Sequence, residues 1–271
     1  MLWIELTRKL SENLKEPFEL EFVWRQQHEL SKLDWLNLMR EEISEEDETT
    51  LKAIADRLAK DEPPQYIIGW EDFAGLRFKV DERVLIPRPE TEELVQMILE
   101  ENPHQEALSV LDIGTGSGAI AISLAKACPS WKLTASDLSE SALELAGENA
   151  KANQVQLELV CSDVLDDIAG SFDLIISNPP YISPDDRDEV DASVQKFEPD
   201  SALYAENDGY AIYEKIAQQA PQHLDEAGRL YMEIGYKQGE RLKAIFETAF
   251  PEKEVSVIKD SFGKDRMLKV C

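Results

Sequence analysis

An asparagine followed by two prolines and a tyrosine ends an apolar run of this chain. Asn178, Pro179, Pro180 and Tyr181 come directly after Phe172–Ser177. The carboxamide oxygen of Asn178 can accept one N–H of a planar NH2 group, and the carbonyls around Pro179 can accept the other. The ring of Tyr181 offers a flat face for stacking. These residues could therefore hold a weakly nucleophilic NH2 group still and aim its nitrogen at an electrophile.

A glycine-rich loop follows an earlier apolar run and opens a predicted helix. It consists of Gly114, Thr115, Gly116, Ser117 and Gly118. Glycines permit a tight turn and let the backbone approach a ligand closely. Asp137 comes 23 residues after Gly114, a spacing typical of a carboxylate that accepts hydrogen bonds from a ribose diol. The two features together predict a nucleoside-containing cofactor.

The pattern of the loop indicates which cofactor. Dinucleotide sites use Gly-x-Gly-x-x-Gly with a pyrophosphate at the helix N-terminus, whereas this loop reads Gly-x-Gly-x-Gly after Asp112. A carboxylate at Asp112 would repel a pyrophosphate but tolerate a sulfonium cation. We therefore expect S-adenosylmethionine rather than NAD. The chain contains no Gly-Lys-Ser/Thr sequence, so ATP is not expected. No metal site is expected either.

Alternating strands and helices must position these motifs. The helices include Ala119–Ala127, Ser139–Ala152 and a long one over Gly209–Asp225. Seven strands are predicted, the last two forming a hairpin at the sheet edge: Ser109–Ile113, Lys132–Asp137, Leu157–Cys161, Phe172–Ser177, Arg229–Ile234, Glu254–Lys259 and Met267–Val270. This alternation predicts the α/β class, with a doubly wound, mostly parallel seven-stranded sheet. Ligands of such sheets bind beyond the carboxyl ends of the strands, so the three motifs should meet there.

The rest of the chain predicts two further segments. Residues 1–70 form a small N-terminal helical bundle of four or five helices, since leucines recur every four residues from Leu2. Residues 71–92 form a linking β-hairpin and cleft segment, with strands at Phe73–Val80 and Val84–Ile86 around a turn at Asp81–Arg83. Residues 93–271 then form the S-adenosylmethionine-dependent domain.

Composition limits the partners. Lys and Arg number 28 and Asp and Glu 55, so the net charge of −27 disfavours nucleic acid. No apolar run is long enough to span a membrane, Met1–Leu6 does not resemble a signal peptide, and the three cysteines are widely spaced, so we expect a cytoplasmic protein. We also expect a monomer. His28, His104 and His223 lie away from the strand-end motifs, and no catalytic role is expected for them.

The chain resembles the release factor glutamine methyltransferases, the PrmC/HemK family, over essentially its whole length. The resemblance rests on six segments, of which the second is the most specific: Gln65–Gly69, Leu85–Glu92, Asp112–Gly118, Asn178–Tyr181, Glu198-Pro199 and Glu233–Gly235. It implies a class I S-adenosylmethionine methyltransferase fold. It also implies methylation of the side-chain amide nitrogen (N5) of the glutamine in the Gly-Gly-Gln loop of class I peptide chain release factors.

The resemblance assigns a role to each motif residue. Cofactor binding would fall to Gly114–Gly118, Asp137, Val164 and Asn178, where Val164 replaces an aromatic residue that the family often places beside the adenine. Asn178, Pro179 and Tyr181 would be catalytic. The same three residues, with Pro180, Arg88, Pro89 and Glu92, would line the substrate cleft. The helical domain would recognise the substrate. Of the family's Gly-Gly-x-Asp-Gly run, only Asp208-Gly209 is kept.

Three alternatives remain open from the sequence. A related enzyme could methylate a glutamine of a large-subunit ribosomal protein. A nucleic-acid methyltransferase could use Asn178–Tyr181 on an exocyclic NH2 group, but it would need a basic groove and a base-flipping domain, which the sequence does not indicate. A third possibility is a cofactor-binding adaptor without catalysis. If the substrate is a release factor, whose domain should be basic, the acidic surface would attract it.

Overall fold

A computed structural model describes residues 1–102 and 107–271, so His104 lies outside the described residues. The chain divides into two compact units. The first comprises Met1–Trp70 and Val190–Phe197, and the second comprises Glu71–Glu189 and Glu198–Cys271. Among the described residues, no helix combines the length and apolar character needed to cross a bilayer.

The first unit is helical, as predicted. Trp3 packs edge-to-face on Trp24 and Trp35, with ring centroids 4.8 and 6.0 Å apart, and these three rings form the centre of its core. Up to Trp70 it contains five helices: α1 (Trp3–Ser11), α2 (Phe18–Gln27), α3 (Lys32–Leu38), α4 (Glu45–Leu58) and α5 (Pro64–Ile68). Hydroxyl caps define two of the helix starts, since Ser31 Oγ and Ser44 Oγ accept hydrogen bonds from backbone N–H groups of the first turns of α3 and α4.

The position of the predicted hairpin was wrong. Its strands are β1 (Trp70–Phe73) and β2 (Leu76–Lys79). The turn is Ala74-Gly75, where both residues have positive φ (49° and 75°), as a two-residue hairpin turn requires. The sequence alternates through Ala74, so this turn was read as strand. Val84–Ile86, predicted as the returning strand, lies outside any strand, although Val84 and Ile86 are buried.

The second unit contains the seven-stranded sheet that the sequence predicted. Its strands are β3 (Ser109–Ile113), β4 (Lys132–Asp137), β5 (Glu158–Cys161), β6 (Phe172–Ser177), β7 (Leu224–Glu233), β8 (Val255–Lys259) and β9 (Asp265–Val270). The order is β5-β4-β3-β6-β7-β9-β8, with β9 antiparallel to both of its neighbours and the other pairs parallel. Successive residues of β3 enter different hydrophobic clusters, Leu111 one and Val110 the other, so both faces of the sheet are covered.

The longer helices of the second unit are α6 (Pro89–Glu101), α7 (Ala119–Ala127), α8 (Glu140–Ala152), α12 (Ala211–Gln219) and α13 (Gly239–Ala249). The long helix predicted up to Asp225 ends at Gln219, because a 3₁₀ turn containing Pro221 follows and β7 already begins at Leu224. The sequence analysis assigned no elements between β6 and α12. This stretch holds a 3₁₀ helix (Pro184–Glu189) and three short helices, α9 (Ala192–Phe197), which belongs to the first unit, and α10 (Asp200–Leu203) and α11 (Glu206–Gly209) of the second.

Candidate active site

A cavity of about 360 Å3 lies where β3, β4 and β6 end. This volume falls within the range of roughly 300–1,000 Å3 that small-molecule sites occupy. Its lining includes most of the residues that the sequence predicted, namely Arg88, Gly114, Thr115, Gly116, Ser117, Asp137, Val164, Asn178, Pro179 and Pro180. The carboxyl edge of the sheet therefore brings the three motifs together, although they are separated in sequence.

The glycine loop connects β3 to α7 and is fixed to the end of β4. The N–H groups of Gly114 and Thr115 both donate to the carbonyl of Ser136 at 2.9 Å. Gly118 precedes α7 with φ of 81°, and a Cβ there would lie 2.7 Å from Ile122 Cδ1. Only glycine fits this conformation and this close approach. Gly118 thus shapes the turn and does not itself line the cavity, whose loop residues are Gly114–Ser117.

The structure does not place Asp112 beside the cofactor, as the argument from its charge had assumed. Its side chain is fully buried and does not line the cavity, so it does not face a cofactor directly. Oδ2 accepts a hydrogen bond from Thr115 Oγ1 at 2.6 Å, while Oδ1 has no partner among the described residues. Burial raises the pKa of Asp112 to about 7, against the opposing effect of the Thr115 hydroxyl. Asp112 therefore supports the loop from beneath.

Asp137 presents the carboxylate that does line the cavity. Oδ2 accepts from the Gly116 N–H and Oδ1 from the Ser139 N–H, both at 2.9 Å. Burial raises its pKa, and these backbone donors oppose the shift. A carboxylate has about four acceptor positions, so acceptor capacity is left for a diol beside the loop. These free acceptor positions fit the ribose hydroxyls of S-adenosylmethionine, which can donate to them.

Two apolar side chains flank this carboxylate end of the cavity. Val164 has φ of 58°, which is strained for a β-branched residue, and its carbonyl accepts a hydrogen bond from Ser162 Oγ at 3.2 Å. Leu138 also lines the cavity and is 67% exposed. The sequence analysis missed Leu138, although an apolar residue directly after Asp137 was a usable signal. Both side chains therefore offer apolar surface to a purine, without aromatic stacking.

Asn178 begins a hydrogen-bonded series that leads away from the cavity. Its Nδ2 donates to Thr91 Oγ1 at 3.1 Å, and Thr91 Oγ1 donates to Glu233 Oε2 at 2.6 Å. The Asn178 oxygen accepts no hydrogen bond from any residue that the structure describes. Thr91 and Glu233 were quoted in the family motifs but given no role, because nothing local relates α6 to the end of β7.

Tyr181 lies beside the cavity-lining prolines, but its ring packs against the hydrophobic cluster on one face of the sheet. Burial raises its pKa to about 12. Its carbonyl accepts from Gln238 Nε2 at 3.1 Å, and Gln238 Oε1 accepts from the Gly235 N–H at 3.0 Å. Gln238 therefore joins Asn178–Tyr181 to the end of β7. Tyr181 does not line the described cavity, and stacking on a substrate amide stays a prediction.

The segment before α6 is held by a buried carboxylate. Glu198 accepts from the guanidinium of Arg88 and, at 3.1 Å, from the Ile86 N–H. Burial raises the pKa of Glu198, and the nearby Arg88 opposes the shift. This pair accounts for the Glu198-Pro199 motif and keeps Arg88 at the cavity wall. Pro89 and Glu92 do not line the described cavity.

Pro89 and Glu92 have structural positions instead. Pro89 is the first residue of α6, where a missing N–H costs nothing. The Glu92 carboxylate accepts from the Ala74 N–H at 2.6 Å and so fixes the hairpin turn. Cleft-lining roles for Pro89 and Glu92 therefore stay predictions.

Solved structures are similar in fold to this chain. A methyltransferase from Pyrococcus furiosus matches with a TM-score of 0.54 at 21% identity, covering 72% of this chain and 88% of that one. The Thermus thermophilus 16S rRNA N2 G1207 methyltransferase, solved with AdoMet and guanosine, matches with a TM-score of 0.52 at 16% identity, covering 74% and 49%. At these identities the similarity shows the fold alone.

Sequence comparison identifies the family. The family model of the methyltransferase small domain matches residues 90–263, and that of the PrmC N-terminal domain matches residues 2–69. The release factor glutamine methyltransferase of Lactococcus lactis subsp. lactis is 61% identical over 270 residues, which is 100% of both chains. That of Streptococcus pneumoniae is 50% identical, covering 94% of this chain and 92% of its own. The chain belongs to the release factor glutamine methyltransferase family.

Proposed function

We propose that this chain methylates the side-chain amide nitrogen (N5) of the glutamine in the Gly-Gly-Gln loop of class I peptide chain release factors. The methyl donor is S-adenosylmethionine. The observation that supports the choice of an amide is the orientation of Asn178 at the cavity. Its NH2 group is engaged by Thr91, so its carboxamide oxygen is left to accept an N–H from a ligand.

The residues of the chain need only bind and orient the amide. When bound, S-adenosylmethionine supplies a methyl group that is already activated by its sulfonium centre. Asn178 Oδ1 accepts one N–H of the glutamine, and a backbone carbonyl of the Pro179-Pro180 segment accepts the other. These acceptors hold the nitrogen in place and stabilise positive charge that develops on it. The proton that the nitrogen loses passes to water.

A transfer assay tests this proposal. Purified unmodified release factor is incubated with the enzyme and S-adenosylmethionine carrying a labelled methyl group, and the labelled peptide is mapped by mass spectrometry. We expect the label on the glutamine of the Gly-Gly-Gln loop. Asn178→Ala should abolish transfer, whereas Asn13→Ala, which removes an exposed carboxamide, should behave as wild type.

Failure of this assay is informative. If wild-type enzyme binds the cofactor but leaves the release factor unlabelled, the assignment is wrong, and ribosomal protein and then nucleic acid become the substrates to test. If Asn178→Ala labels the glutamine at the wild-type rate, the substrate is right but the proposed role of the carboxamide is wrong.

We also assign the first unit to recognition of the protein substrate. Helix α3 exposes Leu33 and Leu36, which are 67% and 53% accessible and one turn apart. The double variant Leu33→Ser/Leu36→Ser should raise KM for the release factor and leave cofactor affinity unchanged. Leu159→Ser, at an exposed leucine of the edge strand β5, is the control. Equal KM values for the two variants would contradict this assignment.

The remaining partner assignments follow from charge and substrate. A net charge of −27 repels nucleic acid, so the enzyme is proposed to act on free protein. A separate proposal is that it acts as a monomer. Because class I release factors act on ribosomes, the reaction is placed in the cytoplasm. Light scattering during gel filtration measures the oligomeric state, and a dimer at working concentration would overturn the monomer assignment.

A further inference from the structure

Asn178, Thr91 and Glu233 form a series joined by two side-chain hydrogen bonds. Apolar packing alone would be enough to hold these side chains in place, so the polar groups call for another explanation. Thr91 and Glu233 are buried, with exposed fractions of 5% and 3%; Thr91 borders the cavity, whereas Glu233 does not line it. The side chains come from α6, the end of β6 and the end of β7, 87 and 142 residues apart in the two hydrogen bonds. Buried polar groups that connect three elements constrain one another because each must be satisfied.

The number of protons available in this series fixes which group donates and which accepts in each hydrogen bond. A threonine hydroxyl has one proton to donate, and an ionised carboxylate can only accept. With Glu233 ionised, the Thr91 proton must point to Glu233, so Thr91 can only accept from Asn178. Asn178 must then turn its NH2 group toward Thr91 and its oxygen toward the cavity. The opposite orientation would set two donors against the glutamine NH2 group and repel it.

We propose that Thr91 and Glu233 are positioning residues that orient the Asn178 carboxamide, so that its oxygen faces the substrate amide. This inference rests on the proposed function and deepens it. It makes Glu233 act on the reaction through two hydrogen bonds and without contact to the substrate. Tyr213 supports the end of β7, since its hydroxyl donates to the Glu233 carbonyl at 2.8 Å.

Protonation of Glu233 would remove this constraint. A neutral carboxyl can donate to Thr91, and Thr91 can then donate to the Asn178 oxygen and turn the amide around. Burial raises the pKa of Glu233 to about 7, against the opposing Thr91 hydrogen bond. The titratable and charged groups that face Glu233 are Arg266 on β9, Glu90 and Arg88 at the start of α6, Tyr181 after β6 and Tyr213 on α12. Arg266 and Arg88 favour the ionised form, and Glu90 opposes it.

Three variants test the role of the Asn178–Thr91–Glu233 series, and kcat, KM and the pH profile are measured for each. Thr91→Val keeps the shape but removes the hydroxyl, Thr91→Ser keeps the hydroxyl, and Glu233→Gln removes the charge. Loss of one orienting hydrogen bond to a charged group should lower kcat by about 10- to 100-fold in Thr91→Val. KM for release factor and cofactor affinity should stay close to wild type, and Thr91→Ser should restore most of kcat. Ser123→Ala, which removes a buried hydroxyl without a partner among the described residues, is the control.

The pH profile separates orientation from mere support of the fold. Wild-type kcat should fall as the pH drops through the range where Glu233 takes up its proton. Glu233→Gln and Thr91→Val should be slow at every pH and lack this inflection. If Thr91→Val equals Ser123→Ala in kcat, the inference is wrong. It is also wrong if the inflection in kcat against pH persists in both Glu233→Gln and Thr91→Val. If wild-type enzyme labels no release-factor glutamine, the proposed function fails instead, which the same assay reports separately.

Discussion

Gly209 is the residue at which a single added methyl group should disturb the site most. It has φ of 83°, and a Cβ built there would lie 2.2 Å from the carbonyl oxygen of Tyr181 and 3.0 Å from Gln238 Nε2. Gly209, the last residue of α11, thus touches the backbone of Tyr181. Substitution by alanine should push the Tyr181 carbonyl away and break its hydrogen bond from Gln238.

The structure sets the size of this effect. An ordinary contact needs a separation of at least 3.4 Å, so the Tyr181 carbonyl or the segment opposite must move by about 1 Å. Overpacking of this kind should cost roughly 1–3 kcal/mol of unfolding free energy. A left-handed alanine should add about 1–2 kcal/mol. Since a misplacement of about 1 Å can lower turnover on the order of 100-fold, Gly209→Ala should reduce kcat by about that factor.

Gly170→Ala is the matched control. Gly170 has nearly the same φ, 86°, but a Cβ there would meet no atom within 4 Å. It should incur only the backbone cost and keep wild-type kcat. Both variants are compared by urea denaturation and by kcat for methyl transfer at saturating substrates, under conditions where each is folded. Equal kcat values for the two variants would refute the reasoning, because they would show that the Tyr181 contact does not position the site.

Three further predictions concern charge. Asp112 keeps its proton to about pH 7 when folded but only to about 3.8 when unfolded, so stability falls as the pH rises between these values. The unfolding free energy of Asp112→Asn should therefore rise relative to that of wild type by up to roughly 4 kcal/mol between pH 4 and pH 8, as measured by urea denaturation. Stability curves that run parallel for the two proteins would contradict the raised pKa of Asp112. Asp137→Ala should weaken S-adenosylmethionine binding by about 10- to 100-fold in calorimetric titration, whereas Asp166→Ala, at an exposed carboxylate, should not; equal affinities would remove Asp137 from the cofactor site. Added salt should lower kcat/KM for the release factor and leave kcat unchanged if the net charge of −27 attracts the substrate, and a kcat/KM that is independent of salt would remove that role from the acidic surface.

Local signals predicted the elements that place the site. Hydrophobic runs located β3, β4 and β6, and the rule that ligands bind beyond the carboxyl ends of parallel strands brought Asn178, Asp137 and the glycine loop to one cavity. The hairpin was misplaced because the alternation continued through Ala74, whose positive φ has no signature in a residue of that type. Glu92 was expected in the cleft because its motif was read as one unit, while the structure turns its side chain to the hairpin.

The sequence by itself determined the sheet, the glycine loop and the residue types at each strand end, because these depend on periodicity and on backbone freedom over a few neighbouring residues. Only the tertiary structure decided the direction in which the Asn178 carboxamide points and where the Asp112 carboxylate is buried. Both depend on groups that the strand order brings together, and Glu233 lies 142 residues from Thr91. The chain contains the donors and acceptors, but their pairing exists only once the sheet has formed.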